Sequence, residues 1–152
     1  MRVYETDVGR IGIGICYDSD FPEHARVLTL QGADLIVTIT NWPEGTEFSS
    51  EHTVLTRARE NLVYHVAINR VGEERGIKFF GRSKIANCFG RSLAEGKPYE
   101  EHILYAEIDP TIAREKHRVI IPGEFEVDII NDRRPEFYGR LTQPLTDTSR
   151  IR

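Results

Sequence analysis

Cys16 closes a short apolar run, Ile11-Gly12-Ile13-Gly14-Ile15-Cys16, and Tyr17-Asp18-Ser19-Asp20-Phe21-Pro22-Glu23 follows at once as a turn opening into a helix. A thiol at a strand end, just ahead of the free backbone N–H groups of a helix start, has the surroundings of a nucleophile. Those groups stabilise a thiolate and any oxyanion that forms beside it. The competing reading is that Cys16 is a small buried hydrophobe, the usual fate of a free cysteine. Asp18, Asp20 and Glu23 crowd the same turn, but carboxylates are favoured at a helix start by the dipole and need no cation to explain them. His24, His52, His65, His102 and His117 show neither metal-ligand spacing nor a motif that pairs one with Cys16, which argues against a Cys–His mechanism.

The elements that must position the thiol read as alternating strands and helices. Residues 10–16 have the period of a strand. Ile11, Ile13 and Ile15 share one face and Gly12, Gly14 and Cys16 the other, where something must pack or bind closely. Asp20 and Glu23 are spaced like a capping box for a helix that has Pro22 in its first turn and ends at Gly32. Leu35-Ile36-Val37-Thr38-Ile39 is a β-branched run expected to be covered on both faces. It leads to Asn41-Trp42-Pro43, just past a strand end. Open α/β sheets place ligands there, so Asn41 and Trp42 are candidates for a substrate pocket as well as for simple turn packing. A second helix is predicted from Ser49 or Ser50 to about Tyr64, with Val54, Ala58 and Leu62 as its core stripe. Strands are predicted at 65–69, 82–88 and 103–108, with a turn at Glu95-Gly96-Lys97-Pro98 and a short helix over 110–116. Residues 141–152 lack apolar periodicity and read as a polar tail.

Composition narrows the class. The 152 residues suffice for one core, and 39% hydrophobic with 29% charged residues is ordinary for a globular chain. A net charge of −4 with scattered basic residues gives no footing for nucleic acid. No stretch approaches the length of a membrane span and the N-terminus lacks a signal-peptide core, so a cytoplasmic protein with no membrane partner is expected. Cys16 and Cys88 are too few for a disulfide framework and are expected to be reduced.

Six blocks carry a specific resemblance: Gly14-Ile15-Cys16-Tyr17-Asp18 with Phe21-Pro22-Glu23, Asn41-Trp42-Pro43, Arg57-Ala58-Arg59-Glu60-Asn61, Asn69-Arg70-Val71-Gly72, Phe80-Gly81-Arg82-Ser83 and Arg133-Arg134-Pro135-Glu136-Phe137-Tyr138. In this order and at these separations they resemble the nitrilase superfamily of carbon-nitrogen hydrolases over residues 3–140. The resemblance implies an α/β fold, the C-terminal half of the family's four-layer αββα sandwich. It divides the chain into a hydrolase portion, residues 1–140, and the tail, residues 141–152.

It also implies a Glu-Lys-Cys triad with Cys16 as the nucleophile, and a thioester intermediate. The backbone N–H of Tyr17 would help to hold the oxyanion. No metal or organic cofactor is implied. The family's glutamate and lysine lie well upstream of the cysteine. Only fifteen residues precede Cys16, Glu5 and Asp7 do not sit in a family-like context, and the first lysine is Lys78. The chain therefore resembles the nucleophile-bearing half, and is expected to require a complementing N-terminal half or a homo-oligomeric partner to cover its apolar surface.

Glu23 is expected to cap its helix or form a salt bridge, Lys84 to be solvated or structural, and Arg57, Glu60 and Asn61 to serve ion pairing and packing. Arg70, Arg133 and Arg134 are expected at ion pairs or interfaces. Asp20 stands where many family members carry arginine, which argues against an anionic substrate. Ala86-Asn87-Cys88-Phe89-Gly90 replaces the family's Asp-Pro before the glycine, leaving Cys88 as a packing residue. Two function classes remain open: a hydrolase of a small linear amide, carbamoyl compound or nitrile, and a non-catalytic family member retained for assembly.

Overall fold

A computed structural model describes residues 1–144. A six-stranded mixed sheet forms its centre: β1 (Val3–Thr6), β2 (Gly9–Ile15), β3 (Leu35–Thr40), β4 (Tyr64–Asn69), β7 (Lys84–Ala86) and β8 (Ser92–Glu95), hydrogen-bonded in that order. β2, β3 and β4 run parallel; β1, β7 and β8 are antiparallel to their neighbours. Two hairpins stand apart, β5 (Val71–Glu74) with β6 (Ile77–Phe80), and β9 (His117–Ile121) with β10 (Phe125–Asp128). The helices are α1 (Pro22–Leu30), α2 (Val54–Asn61) and α3 (Pro110–Arg114).

Helices α1 and α2 lie on one face of the sheet. Ala25 and Leu28 of α1 are buried with Ala33, Ile36 and Val63, and Val54 and Ala58 of α2 with Trp42, Ala67, Phe80 and Ala86. The small face of β2 is explained by this contact. A Cβ on Gly12 would lie 2.9 Å from Leu28 Cδ1 and 3.1 Å from its Cβ, and one on Gly14 would lie 2.8 Å from His24 Cε1. What packs closely there is α1, not a ligand. Because the Leu28 Cβ cannot retreat without its helix, Gly12→Val is expected to destabilise the chain by roughly 2–3 kcal/mol, as overpacked cores do. A urea midpoint equal to that of the wild type would show that α1 does not rest on β2.

The other sheet face is open. Ile15, Ile39 and Ile68 stand in register across β2, β3 and β4 and are 67%, 55% and 48% exposed. β3 was expected to be covered on both faces; in this chain only Ile36, Thr38 and Thr40 are buried. Ile13, Val37, Val66 and Ile85 form a second row beside the first. Such a contiguous apolar surface marks a face built to be covered. Only its amino end is closed, where Tyr64, Cys88 and Ala113 cluster with Leu35 and Ile108, and Tyr64 Oη accepts a hydrogen bond from Asp109 N.

Several expected boundaries shift for local reasons. Helix α1 has no side-chain cap: Phe21 occupies the N-cap, and the carboxylate that works in the preceding turn is Asp18, which accepts from Ile15 N at 2.9 Å. Glu23 neither caps nor pairs with a cation among the described residues. Ser49–Thr53 form a π-helical turn before α2, because the Ser50 hydroxyl bonds Arg82 O (2.7 Å) instead of capping the helix. α2 stops at Asn61, where Leu62 turns left-handed (φ 49°) and Lys116 Nζ takes the Asn61 and Leu62 carbonyls. The strand expected at 82–88 shortens to Lys84–Ala86. Residues 103–108 form no strand: Ile103 and Tyr105 are 79% and 82% exposed and have no ladder partner among the described residues. A 3₁₀ turn, Gly139–Thr142, spans the start of the expected tail, whose residues 145–152 lie outside the described part.

Candidate active site

The parallel strands β2, β3 and β4 end on the same side of the sheet, which brings Cys16, Asn41-Trp42 and Asn69 to one edge. The antiparallel β7 starts at that edge after Arg82-Ser83, and β8 ends there at Glu95. Cys16 is not the last strand residue, as expected, but the first of a 3₁₀ turn, Cys16–Asp20, with φ +45°. A left-handed conformation is strained for a side chain of this kind and aims it away from the path of the strand. The thiol is half-buried and packs against the cluster that holds Trp42, Val54 and Ala58. Tyr17 follows as the second residue of the turn, whose leading N–H groups have no acceptor within the turn itself. Its exposed ring packs edge-on against Phe21 (4.9 Å between centroids).

The turn is fastened from two sides. Ser19 Oγ donates to Cys16 O at 2.8 Å. Arg57 of α2 donates from Nε to Ser19 O (3.2 Å) and from Nη2 to Asp20 O (3.3 Å), while Nη1 pairs with Glu60 (3.0 Å). Arg57 and Glu60 thus form the expected ion pair, and the arginine also holds the carbonyl end of the cysteine turn. Asn61 is fully buried and donates to Arg57 O.

Below the turn lies a polar layer between sheet and helices. Thr38 Oγ1 and His65 Nε2 share a hydrogen bond of 2.9 Å, and His24 sits over Gly14 with Nε2 3.9 Å from Asp18 Oδ2. Burial lowers the pKa of His24 and pushes that of His65 down to about 4, so His65 is neutral at physiological pH.

Asn41 is exposed and Trp42 buried. The Trp42 backbone is held by Asn69 rather than by its own turn (Trp42 N to Asn69 Oδ1, 2.7 Å). In the sequence Asn69 stands out only as part of the Asn69-Arg70-Val71-Gly72 block, and its reach to a residue 27 positions earlier carries no local signal. Lys84 is structural but not solvated: it is buried, with Nζ 3.1 Å from Glu95 Oε2, and Glu95 also pairs with Arg82. Arg70 pairs with Glu74 and lies over the Phe79 ring. Arg133 and Arg134 lie over Tyr138 and Phe137. Cys88 is buried, and burial pushes its thiol up to about 11. The Asn87–Gly90 departure from the family pattern is accommodated as a turn, closed by Gly90 N on Asn87 O. A groove of about 510 Å³ on the outer face of α1, lined by Arg26, Leu30 and Tyr138 among others, belongs to a different surface from the thiol.

The carbon-nitrogen hydrolase profile matches residues 1–118. A nitrilase of Pyrococcus abyssi is 40% identical over 139 residues, covering 91% of this chain and 50% of the relative. An N-carbamoylputrescine amidase of Arabidopsis thaliana is 31% identical over 155 residues, covering 92% and 50%. A carbon-nitrogen hydrolase structure from Helicobacter pylori superposes with a TM-score of 0.75 at 27% identity, over 93% of this chain and 52% of that one. An amidase of Nesterenkonia, solved with the acetamide moiety of fluoroacetamide covalently added at its active-site cysteine, superposes with a TM-score of 0.61 at 27% identity, over 64% and 38%. The chain spans about half the length of the curated relatives it matches. With this α/β fold, and with a profile match that contains the whole cysteine edge, the chain belongs to the carbon-nitrogen hydrolase family.

Proposed function

We propose that residues 1–140 form the nucleophile-bearing half of a hydrolase for non-peptide carbon-nitrogen bonds. The observation that carries this reading is the left-handed backbone at Cys16 in a turn fastened by Ser19 and Arg57. Strain of that kind persists where the surroundings over-determine it, and it clusters at reactive centres.

An amide resists attack because its nitrogen donates into the carbonyl, so a strong nucleophile and a held oxyanion are both required. The Cys16 sulfur adds to the carbonyl carbon after giving its proton to a carboxylate base, and the Tyr17 N–H faces the resulting oxyanion. The C–N bond breaks as the nitrogen takes that proton, releasing ammonia or an amine and leaving a thioester. Water then loses a proton to the same base, its oxygen attacks the thioester, the C–S bond breaks, and the acid departs. Asn41 and Trp42 form part of the wall that orients a small amide, carbamoyl compound or nitrile.

The base and the oxyanion's lysine come from residues that pack on the open isoleucine face, in a complementing N-terminal half or a second subunit. The same open face supports the second reading, a non-catalytic member that serves assembly. Ammonia release from small aliphatic amides separates the two. Hydrolysis is expected when the chain is mixed with an N-terminal half of a family relative, and little from the chain alone. A mixture that forms a complex yet releases no ammonia from amides, carbamoyl compounds or nitriles would favour the assembly role.

A further inference from the structure

We infer that Asn69 is a positioning residue whose side-chain amide locks the Trp42 backbone and the Gly81-Arg82 turn into one wall at the cysteine edge. Only the catalytic consequence of this wall rests on the hydrolase reading above.

Asn69 ends β4 and is buried. Its Oδ1 accepts from Trp42 N (2.7 Å) and Thr40 Oγ1 (2.8 Å), and its Nδ2 donates to Gly81 O (2.8 Å) and Trp42 O (3.4 Å). The partners fix the amide's orientation, since a backbone N–H can only donate and a carbonyl can only accept. Two donors and two acceptor positions are all used, and no other residue of this length offers both. Its backbone is held separately: Asn69 N donates to Ser83 Oγ at 3.0 Å.

The loops tied by this amide are not self-supporting. Gly81 and Arg82 both have left-handed backbones (φ 71° and 53°), and a Cβ on Gly81 would lie 2.6 Å from Val71 Cγ1. Ser50 Oγ takes the Arg82 carbonyl, while Glu51 and Glu95 hold the guanidinium. The Gly81 N–H is held by Arg70 O (3.0 Å), and Asn69 adds a side-chain grip on the Gly81 carbonyl. On its other side it fixes the Trp42 backbone, and Trp42 belongs to the cluster on which Cys16 packs. The surroundings of the thiol therefore depend on an amide whose hydrogen bonds go to Thr40, Trp42 and Gly81.

Trp42 is the single tryptophan of the chain, so its fluorescence reports this wall directly. In the full chain, Asn69→Leu and Asn69→Asp are expected to shift Trp42 emission to longer wavelength, and to increase its quenching by succinimide roughly tenfold, the scale of an unmade buried hydrogen bond. The alkylation rate of Cys16 by iodoacetamide should change with them. Ser83→Ala, which spares the amide, should leave the emission as in the wild type. In Asn69→Asp, acidification protonates the buried carboxyl, restores one O–H donor for Gly81 O, and should return the emission toward the wild type. This rescue keeps the test decisive if Asn69→Leu does not fold.

Unchanged emission and alkylation in a folded Asn69 variant, the same shift in Ser83→Ala, or no recovery of Asn69→Asp on acidification would overturn the inference. None of these readouts needs a substrate. The Trp42 response in a chain that forms a complex with an N-terminal half yet releases no ammonia from amides, carbamoyl compounds or nitriles would sink the hydrolase reading and leave Asn69 in its role. Hydrolysis by the complemented Asn69→Leu chain with unaltered kcat and KM would keep the hydrolase reading and remove the catalytic consequence of the wall.

Discussion

Asp34→Ala is expected to cost about 3 kcal/mol of stability, within the range for removing one partner of a buried ion pair, and to lower the melting temperature by roughly 10 °C for a chain of this size. Asp34 is buried and receives two arginines from distant parts of the chain. Arg10 reaches Oδ1 from Nη2 at 2.9 Å and Arg114 reaches Oδ2 from Nη2 at 2.9 Å, while Arg10 N donates to Oδ2 at 3.0 Å. The Asp34 backbone completes the junction, with its N–H on Arg10 O and its carbonyl accepting Tyr64 N. One carboxylate thus joins β2, the start of β3 and α3. Both arginines reach solvent, so the loss stays near the low end for buried pairs; what is stranded is chiefly the Arg10 N–H.

The pH dependence follows from the sign of the shift. Burial alone would raise the Asp34 pKa, but the hydrogen bonds from Arg114 and Arg10 outweigh it and hold the carboxyl well below the usual carboxylate range. A depressed folded-state pKa contributes stability that is complete above the unfolded value of about 4 and fades as pH falls through the folded value. The difference between wild type and Asp34→Ala in urea unfolding should therefore be flat from neutral pH down to about 4, then shrink on further acidification. A difference that grows on acidification would refute the ion-pair account.

The sequence carried the elements whose signal is local. The alternation of isoleucine with Gly12 and Gly14 located β2 and its close-packed face, and Val54 and Ala58 located the buried stripe of α2, while Leu62, expected to continue it, is buried in the left-handed turn just past the helix end. The hairpin of β5 and β6 escaped because Glu73, Glu74 and Lys78 hide its period, although Arg75-Gly76, both left-handed (φ 53° and 80°), is the turn a hairpin needs. The run from Ile103 to Ile108 shows the opposite error: Ile103-Leu104-Tyr105-Ala106 is a continuous apolar run of strand length, but a strand exists only where a neighbour accepts its hydrogen bonds.

At the candidate site, Cys16 and Trp42 were legible from type and position. Arg57 and Asn69, which hold them, were visible only as members of family blocks. Their roles depend on carbonyls at Ser19, Asp20 and Gly81, and a carbonyl is the same in every residue. Side-chain-to-backbone contacts across 12 to 38 positions leave no compositional trace.

In the mixture with an N-terminal half, Cys16→Ala is expected to abolish hydrolysis, by about a thousandfold or more for loss of a covalent nucleophile, while Cys16→Gly should be equally inactive yet more stable than Cys16→Ala by about 1 kcal/mol. The first result follows from chemistry: without sulfur no thioester forms, and the remaining groups can only orient water. The second follows from the backbone. Cys16 has φ +45°, where a Cβ is strained and glycine is not. Alanine and glycine both remove the sulfur's packing against the Trp42 cluster, so their difference reports the conformational strain net of glycine's larger unfolded-state entropy.

Iodoacetamide supplies the matching measurement in the wild type. One equivalent should label Cys16 and spare Cys88, which is buried and whose thiol burial pushes up to about 11. Hydrolysis that persists in Cys16→Ala would remove Cys16 from the mechanism. Equal stability of the alanine and glycine variants would remove the strain that distinguishes this thiol from a packed hydrophobe. Together the two readouts ask whether the chain holds a cysteine in a conformation that costs stability, and whether the chemistry uses it.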